Sequence, residues 1–144
     1  MNKTLEIISP EQEIYRRLSL AMNYIDCNFS GQIDLNAISS QAFFSRYHFL
    51  RIFKQRFNIT PHRYLTYKRM EKAKYLLGHT DMTLLDVSFE VGFSSVGSFG
   101  SLFTKYTGKS PGAYRSAVNS RKIFAVKKPG IMIPSCYIKR FIAR

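Results

Sequence analysis

Apolar residues recur every three or four positions through most of the chain, which is the spacing of amphipathic helices. The first such stretch is preceded by Ser9 and Gln12, which form an S-x-x-Q capping box with Pro10 at the first helical position. The pattern predicts a packing helix near the start of the chain. Its apolar stripe comprises Ile14, Leu18, Ala21, Met22 and Ile25.

An internal repeat organises the middle of the chain. When the sequence is shifted by 50 residues, AFFSRYHFLRIFKQRFNITPHRY (42–64) falls on GFSSVGSFGSLFTKYTGKSPGAY (92–114). Upstream, LNAIS and LLDVS align if the second copy has one extra turn residue. One structural unit is therefore used twice. The shift pairs Phe43 with Phe93, Ser45 with Ser95, Phe49 with Phe99, Phe53 with Phe103, Pro61 with Pro111 and Tyr64 with Tyr114.

Each copy predicts a helix, a turn and a second helix. A short apolar segment (35–38 or 84–87) leads to a turn near Ala42 or Gly92, and the second helix begins at Ser45 or Ser95, both favourable N-caps. Helical spacing directs similar residues inward in the two copies: Phe49, Ile52, Phe53, Arg56 and Phe57, then Phe99, Leu102, Phe103 and Tyr106. The outward residues differ: Tyr47, Leu50, Arg51 and Lys54 in the first copy, but Gly97, Gly100, Ser101 and Thr104 in the second.

A longer helix is predicted to connect the two copies. Thr60 and Pro61 mark its start and Gly78 its end, a length of about 17 residues or roughly 25 Å. This is comparable with the ~34 Å turn of B-DNA, so such a connector would hold two outward-facing helices near successive major grooves. Its apolar residues are predicted to pack against both units: Leu65, Ala73, Leu76 and Leu77.

The charge balance favours a polyanionic partner. The chain has 22 Lys and Arg against 9 Asp and Glu, a net charge of +13, and residues 91–144 hold 10 basic side chains and no acid. Nucleic acid is favoured over a membrane, because no segment is apolar and long enough to span a bilayer. The N-terminus lacks a secretory signal pattern, so we expect a cytoplasmic protein with Cys27 and Cys136 reduced and packed in the core.

No catalytic pattern is present in the sequence. The three histidines, His48, His62 and His79, are scattered, with no carboxylate or cysteine at metal-ligand spacing. No serine or cysteine nucleophile stands beside a base in a known motif. We therefore expect no enzyme, no cofactor and no metal site.

Residues 24–115 resemble the DNA-binding domain of the AraC/XylS family of bacterial transcription regulators. Three motifs carry the resemblance: RIFK at 51–54, P-x-x-YL-x-x-x-RM-x-x-A-x-x-LL at 61–77, and VGFSS-x-x-SF-x-x-LF-x-x-x-x-G-x-SP-x-x-YR at 91–115. The chain departs from the family pattern at Ser39 and Ser88, where Ala is frequent, and at Thr104, where a basic residue is common. The hydroxyls at 39 and 88 are expected to bond local carbonyls.

The resemblance implies an all-α fold of about seven helices with two helix-turn-helix subdomains. Their expected bounds are 1–60 for the first helix and first subdomain, 61–78 for the connecting helix, 79–118 for the second subdomain and 119–144 for a basic tail. The tail has two open interpretations: an arm that folds back through its apolar residues, or a basic segment that orders on DNA or a partner.

The resemblance also implies that the helices from Ser45 and Ser95 enter the DNA major groove. Arg51 is the foremost candidate, because arginine can bond guanine O6 and N7 together. Carried over by position, the base-contact candidates are Arg46, Tyr47, Leu50, Arg51, Val96, Gly97, Gly100 and Ser101. The phosphate-contact candidates are Ser45, Lys54, Ser95, Thr104, Lys105, Lys109 and Arg115.

Two interpretations of Gly97 and Gly100 remain open at this point, since each glycine weakens a helix by about 1 kcal/mol relative to Ala. Either they let the second recognition helix approach DNA closely, or they allow close helix packing.

The function implied is a sequence-specific regulator of transcription, an activator by family analogy, binding double-stranded DNA as a monomer. RNA polymerase is a further partner by the same analogy. The alternatives are a protein-interaction module that retains the fold and general nucleic-acid coating. The sequence leaves open whether the chain is a whole protein or a fragment of a longer regulator.

Overall fold

The computed structural model describes residues 8–124, and within this range the secondary structure is entirely α-helical. The predicted all-α fold with seven helices is confirmed. The interpretations of the tail beyond Phe124 fall outside the described residues. The helices are α1 (Pro10–Asn28), α2 (Leu35–Gln41), α3 (Arg46–Phe57), α4 (Pro61–His79), α5 (Leu84–Glu90), α6 (Val96–Thr107) and α7 (Pro111–Phe124).

Side-chain caps fix where the helices begin. At α1, Gln12 Oε1 accepts a hydrogen bond from Ser9 N at 2.8 Å and Ser9 Oγ accepts one from Gln12 N at 3.2 Å, which confirms the predicted capping box. Ser45 and Ser95 are the N-caps of α3 and α6, as predicted. These serines therefore fix the first residue of each recognition helix.

The described chain forms two compact units, which divide within α4 between Leu65 and Thr66. The first unit consists of residues 8–28 and 32–65. In it α1 packs on α2 and α2 on α3, so α2 and α3 form the first helix-turn-helix. The buried residues of this unit come from all four of its helical segments: Leu18, Ala21, Met22, Ile25, Ile38, Ala42, Phe49, Phe53, Tyr64 and Leu65.

The second unit consists of residues 29–31 and the chain from Thr66 onward. In it α5 packs on α6 and α6 on α7, so α5 and α6 form the second helix-turn-helix. Gly78, predicted to end the connecting helix, instead lies buried in its last turn, where an added Cβ would be 3.2 Å from Val118 Cγ1. The core of the unit is Met70, Ala73, Leu76, Leu77, Val87, Val91, Phe99 and Phe103.

The two units repeat one aromatic core, which confirms most of the predicted repeat. In each copy the second phenylalanine of the recognition helix lies between the first phenylalanine and the tyrosine of the following helix. The ring centroids are 5.4 and 6.3 Å apart along Phe49, Phe53 and Tyr64, and 5.5 and 5.4 Å apart along Phe99, Phe103 and Tyr114.

The buried serines of α2 and α5 behave alike. Ser39 Oγ donates to the carbonyl of Asn36 at 3.1 Å, and Ser88 Oγ donates to that of Leu85 at 2.7 Å. The predicted local hydrogen bonds are therefore confirmed, and they satisfy two hydroxyls that would otherwise be unpaired in the core.

The predicted pairing of Phe43 with Phe93 is wrong, because the counterpart of Phe93 is Phe44. Phe44 N donates to the carbonyl of Ser39 at 3.2 Å, and Phe93 N donates to that of Ser88 at 2.9 Å. An arginine also covers each ring: the guanidinium carbons of Arg17 and Arg69 lie 5.3 and 5.7 Å from the centroids of Phe44 and Phe93.

The residue that Phe43 matches is Gly92. Both occupy the turn between the two helices in the left-handed region, with φ of 55° for Phe43 and 89° for Gly92. The extra residue of the second copy is therefore Ser94, between the turn and the N-cap Ser95. A single shift of 50 residues misplaces the turn because the insertion comes after it.

Two further burial predictions are wrong. Tyr106, expected in the core, lies in the last turn of α6, where its side chain is 43% exposed and its ring centroid is 6.5 Å from that of Tyr67. Cys27, expected to be packed, is an exposed free thiol near the end of α1. Cys136 lies outside the described residues.

Arg69 of α4 binds residues 29–31 to the rest of the second unit. Its Nε donates to the carbonyl of Phe29 at 2.7 Å and its Nη2 to that of Gly31 at 2.9 Å. Burial lowers the pKa of its guanidinium. A Cβ added to Gly92 would lie 2.9 Å from the Ser30 carbonyl oxygen and 3.0 Å from Arg69, so this turn has no room for a side chain.

We expect Gly92→Ala to destabilise the protein far more than Gly108→Ala. Gly108 also has a positive φ, 78°, but an added Cβ there meets no described atom within 4 Å. Gly108→Ala should therefore lower the free energy of unfolding by about 1 kcal/mol through backbone strain alone, and Gly92→Ala by about 3 kcal/mol. Urea-induced unfolding measures both, and equal losses would contradict a steric role for the Ser30 carbonyl.

Candidate nucleic-acid interface

The outward side of α3 presents an aromatic ring and three basic side chains. Tyr47 is 81% exposed, and Arg46, Arg51 and Lys54 are exposed as well. Phe49 and Phe53, which are fully buried, anchor the opposite side of the helix. These four exposed residues, Arg46, Tyr47, Arg51 and Lys54, are called the α3 face below. Leu50, predicted among them, is half-buried beside this face.

The α3 face is positively charged, and its basic side chains have no partners among the described residues. Helix α3 has four Lys and Arg residues and no acid. Arg56 is turned away, since its guanidinium carbon lies 3.8 Å from the ring centroid of Tyr15. Within residues 8–124, no hydrogen bond or ion pair engages the side chain of Arg46, Arg51 or Lys54. Their charges are therefore free to meet an anionic partner.

The outward side of α6 carries only small side chains or none. Gly97, Ser101 and Thr104 are exposed, and Val96 and Gly100 are half-buried. A Cβ added at either glycine would meet no described atom within 4 Å. The packing interpretation of the two glycines is therefore wrong for the described part of the chain. This surface, Val96, Gly97, Gly100, Ser101 and Thr104, is called the α6 face below.

The hydroxyl groups predicted to contact phosphate already have local partners. Ser45 Oγ accepts from His48 N at 3.4 Å and Ser95 Oγ from Ser98 N at 3.2 Å, so both cap their helices. Thr104 Oγ1 donates to the carbonyl of Gly100 at 2.7 Å. Each hydroxyl stays exposed. The Ser45 oxygen only accepts in its bond, so its proton can still be donated to a phosphate oxygen, whereas the Thr104 proton is already donated to the Gly100 carbonyl.

The basic phosphate candidates of the second unit fall into two kinds. Lys105 in α6 and Lys109 in the loop before α7 are exposed. Arg115 is half-buried in α7, and its Nη2 donates to the carbonyl of Met82 at 2.5 Å. Part of the Arg115 guanidinium therefore ties α7 to the segment before α5, a structural role that the sequence did not indicate.

The sequence prediction missed three exposed apolar side chains. Phe43, which the repeat paired with Phe93, is 70% exposed at the entrance to α3. Leu85 and Phe89, one turn apart on α5, are about half exposed and stand beside the acids Asp86 and Glu90. A separate alignment of the turns, with the shift that places LNAIS on LLDVS, would have matched Phe43 with Gly92 instead of Phe93.

The described residues offer neither a metal site nor a membrane span. No group of three or more His, Cys, Asp or Glu residues in the range 8–124 could hold a metal ion. In the same range, no helix combines the length and apolar character needed to cross a bilayer.

The fold and these faces define a helix-turn-helix protein, and the comparison with protein families agrees. The helix-turn-helix domain family matches residues 38–117, more than half of the chain. The chain belongs to the AraC/XylS family and contains the DNA-binding domain of a transcription regulator of that family.

Two relatives show how much of a regulator the match covers. The chain is 34% identical to "Probable transcriptional regulator LumQ" of Photobacterium leiognathi over 107 residues, 73% of this chain and 43% of LumQ. It is 32% identical to the "HTH-type transcriptional activator RhaS" of Escherichia coli over 95 residues, 66% of this chain and 34% of RhaS. The chain thus spans less than half the length of these relatives.

A solved structure relates the fold to DNA. The DNA-binding domain of AdpA, a global transcriptional factor, was crystallised in complex with a target DNA. It superposes with a TM-score of 0.67 at 26% sequence identity, covering 78% of this chain and 98% of the AdpA domain. The same architecture therefore binds a target DNA in a relative.

Gly100→Ala should stabilise the protein and weaken its binding to DNA. The added methyl group meets no described atom, so the free energy of unfolding should rise by up to about 1 kcal/mol, with a smaller gain for Gly97→Ala in the first helical turn. DNA affinity should fall if the duplex occupies this space. Urea unfolding and fluorescence anisotropy with a labelled duplex measure the two effects.

Ser101→Ala is the matched control for this pair, because position 101 already carries a Cβ on the same face. Its affinity should stay within about twofold of the parent. A Gly100→Ala variant that is more stable and binds DNA as tightly as the parent contradicts close approach of the duplex to α6.

Proposed function

We propose that this chain is a sequence-specific double-stranded DNA-binding regulator of transcription that inserts α3 and α6 into major grooves. The observation that carries the proposal is the α3 face, an exposed aromatic and three unpaired basic side chains on a helix of the right width for the groove. The AdpA complex supports DNA as the partner of this architecture.

In this proposal α3 and α6 make different kinds of contact with DNA. The α3 face supplies most of the base discrimination, because Arg51 can bond guanine O6 and N7 and Tyr47 can contact thymine methyl groups. The α6 face has few groups that distinguish bases, so it contributes backbone contacts and shape. Phosphate contacts come from Lys54, Lys105 and Lys109, with the free N–H groups at the starts of α3 and α6.

Further features of the proposed regulator follow from the family. It acts in the cytoplasm as a monomer, since two helix-turn-helix units in one chain already supply two recognition helices. It activates transcription, by analogy with the transcriptional activator RhaS. By family analogy it also works with RNA polymerase.

A second candidate function is a protein-interaction module that acts on another regulator. The exposed Leu85 and Phe89 of α5, beside Asp86 and Glu90, favour it, because they form an apolar and acidic patch on an otherwise basic protein. This surface and the α3 face belong to different helices, so a single chain can carry both activities.

Selection of duplexes from a random library by the purified 144-residue chain, near physiological salt, tests the proposal. We expect one strongly conserved element and a weaker second element about one helical turn (~10 bp) away. Enrichment of no sequence above general binding would favour the interaction module instead. The ratio of the affinity for the selected duplex to the affinity for random duplexes distinguishes specific from general DNA binding. Salt dependence does not, because both kinds of binding are steeply salt-dependent.

Arg51→Ala should relax sequence preference and Ser101→Ala should hardly change it. Loss of a bidentate guanine contact removes about 1 to 3 kcal/mol of discrimination, roughly 5- to 160-fold between the selected base and its alternatives at one position. Repeating the selection with both variants measures this. The reverse ranking would contradict the division of work between α3 and α6.

A further inference from the structure

Phe43 holds a backbone conformation that its residue type disfavours. Its φ of 55° lies in the left-handed region, where a Cβ crowds the backbone and a bulky side chain is an outlier. The side chain is 70% exposed, so little apolar burial offsets this strain. A strained residue that the surrounding structure does not stabilise is a candidate for a role in binding.

The turn itself does not require a phenylalanine. In the second copy Gly92 takes the same place, and the turn hydrogen bonds match: Phe43 N donates to the Ser40 carbonyl at 3.1 Å, and Gly92 N donates to the Phe89 carbonyl at 2.9 Å. Glycine adopts this conformation without strain. The turn therefore does not account for a phenylalanine at position 43.

The surroundings of Phe43 point to its partner. It stands two residues before the N-cap Ser45, at the entrance to the α3 face with its exposed Tyr47, Arg46 and Arg51. The flanking charge is positive, in contrast to the acidic surroundings of the exposed Phe89 on α5. A partner that is anionic and also offers apolar surface fits this combination, and the duplex provides both through its phosphates, deoxyribose rings and thymine methyl groups.

We propose that Phe43 is a DNA-contact residue that extends the α3 face with an apolar contact to the duplex. The proposal rests on the proposed function of α3 and adds a residue that neither the repeat nor the family resemblance assigned. The aromatic ring is held outward by the left-handed turn, so binding need not order a flexible segment to present it.

A tryptophan substitution reports directly on this contact. The chain has no tryptophan, so Phe43→Trp introduces a single indole at the entrance to α3. We expect its emission to shift or quench when the selected duplex is added. Phe89→Trp is the matched control on α5, also at an exposed phenylalanine, and its emission should not change.

Removing the ring should separate binding from stability. Phe43→Gly relieves the left-handed strain, so its thermal midpoint should rise by a few degrees. Its affinity for the selected duplex should fall about tenfold, the loss expected from roughly 1.4 kcal/mol of apolar contact. Phe89→Ala should leave that affinity unchanged.

These experiments distinguish failure of the proposed function from failure of the inference on Phe43. If the parent chain selects no sequence, the proposed function fails, and the inference on Phe43 falls with it. If the parent selects a sequence and Phe43→Gly binds it within twofold of the parent, the inference alone is overturned. The inference is also overturned if the emission of Phe43→Trp does not change on addition of the duplex, or if Phe89→Trp shows the same change. A loss limited to binding of another protein would assign Phe43 to that partner instead.

Discussion

The full burial of two phenylalanines four residues apart determines which side of each recognition helix faces outward. Phe49 and Phe53 are inaccessible in α3, as are Phe99 and Phe103 in α6. Because residues four apart share one side of a helix, the burial of both rings leaves the helix no freedom to rotate about its axis. The α3 and α6 faces are outward for this reason, whatever residues they carry.

A shared core lets the outer faces diverge. The row of aromatic contacts recurs in both units, while one outer face carries arginines and a tyrosine and the other carries glycines. Helix-weakening residues are tolerated in α6 because tertiary burial, rather than intrinsic propensity, holds it in place. An energetic penalty of about 1 kcal/mol per glycine is small beside the burial of two phenylalanine rings.

The turns between the helices show the same separation of fold from function. Both need a residue in the left-handed region, yet only Gly92 is confined by the Ser30 carbonyl and Arg69. Position 43 has no such confinement in its copy, so a strained, exposed phenylalanine can stand where glycine would serve the fold better. Strain retained at the entrance to α3, beside three unpaired basic side chains, lies where a partner is expected to bind.

The sequence by itself determined the helices, their caps and the repeated phenylalanines, because helical spacing and capping residues act over three or four positions. It also determined the charge and the outward positions of Tyr47 and Arg51. Only the tertiary structure decided what lies between distant segments: the close approach of Val118 to Gly78 and the absence of any described neighbour around Gly97 and Gly100. Such distances depend on how helices far apart in the chain pack together, and no local pattern of residues encodes them.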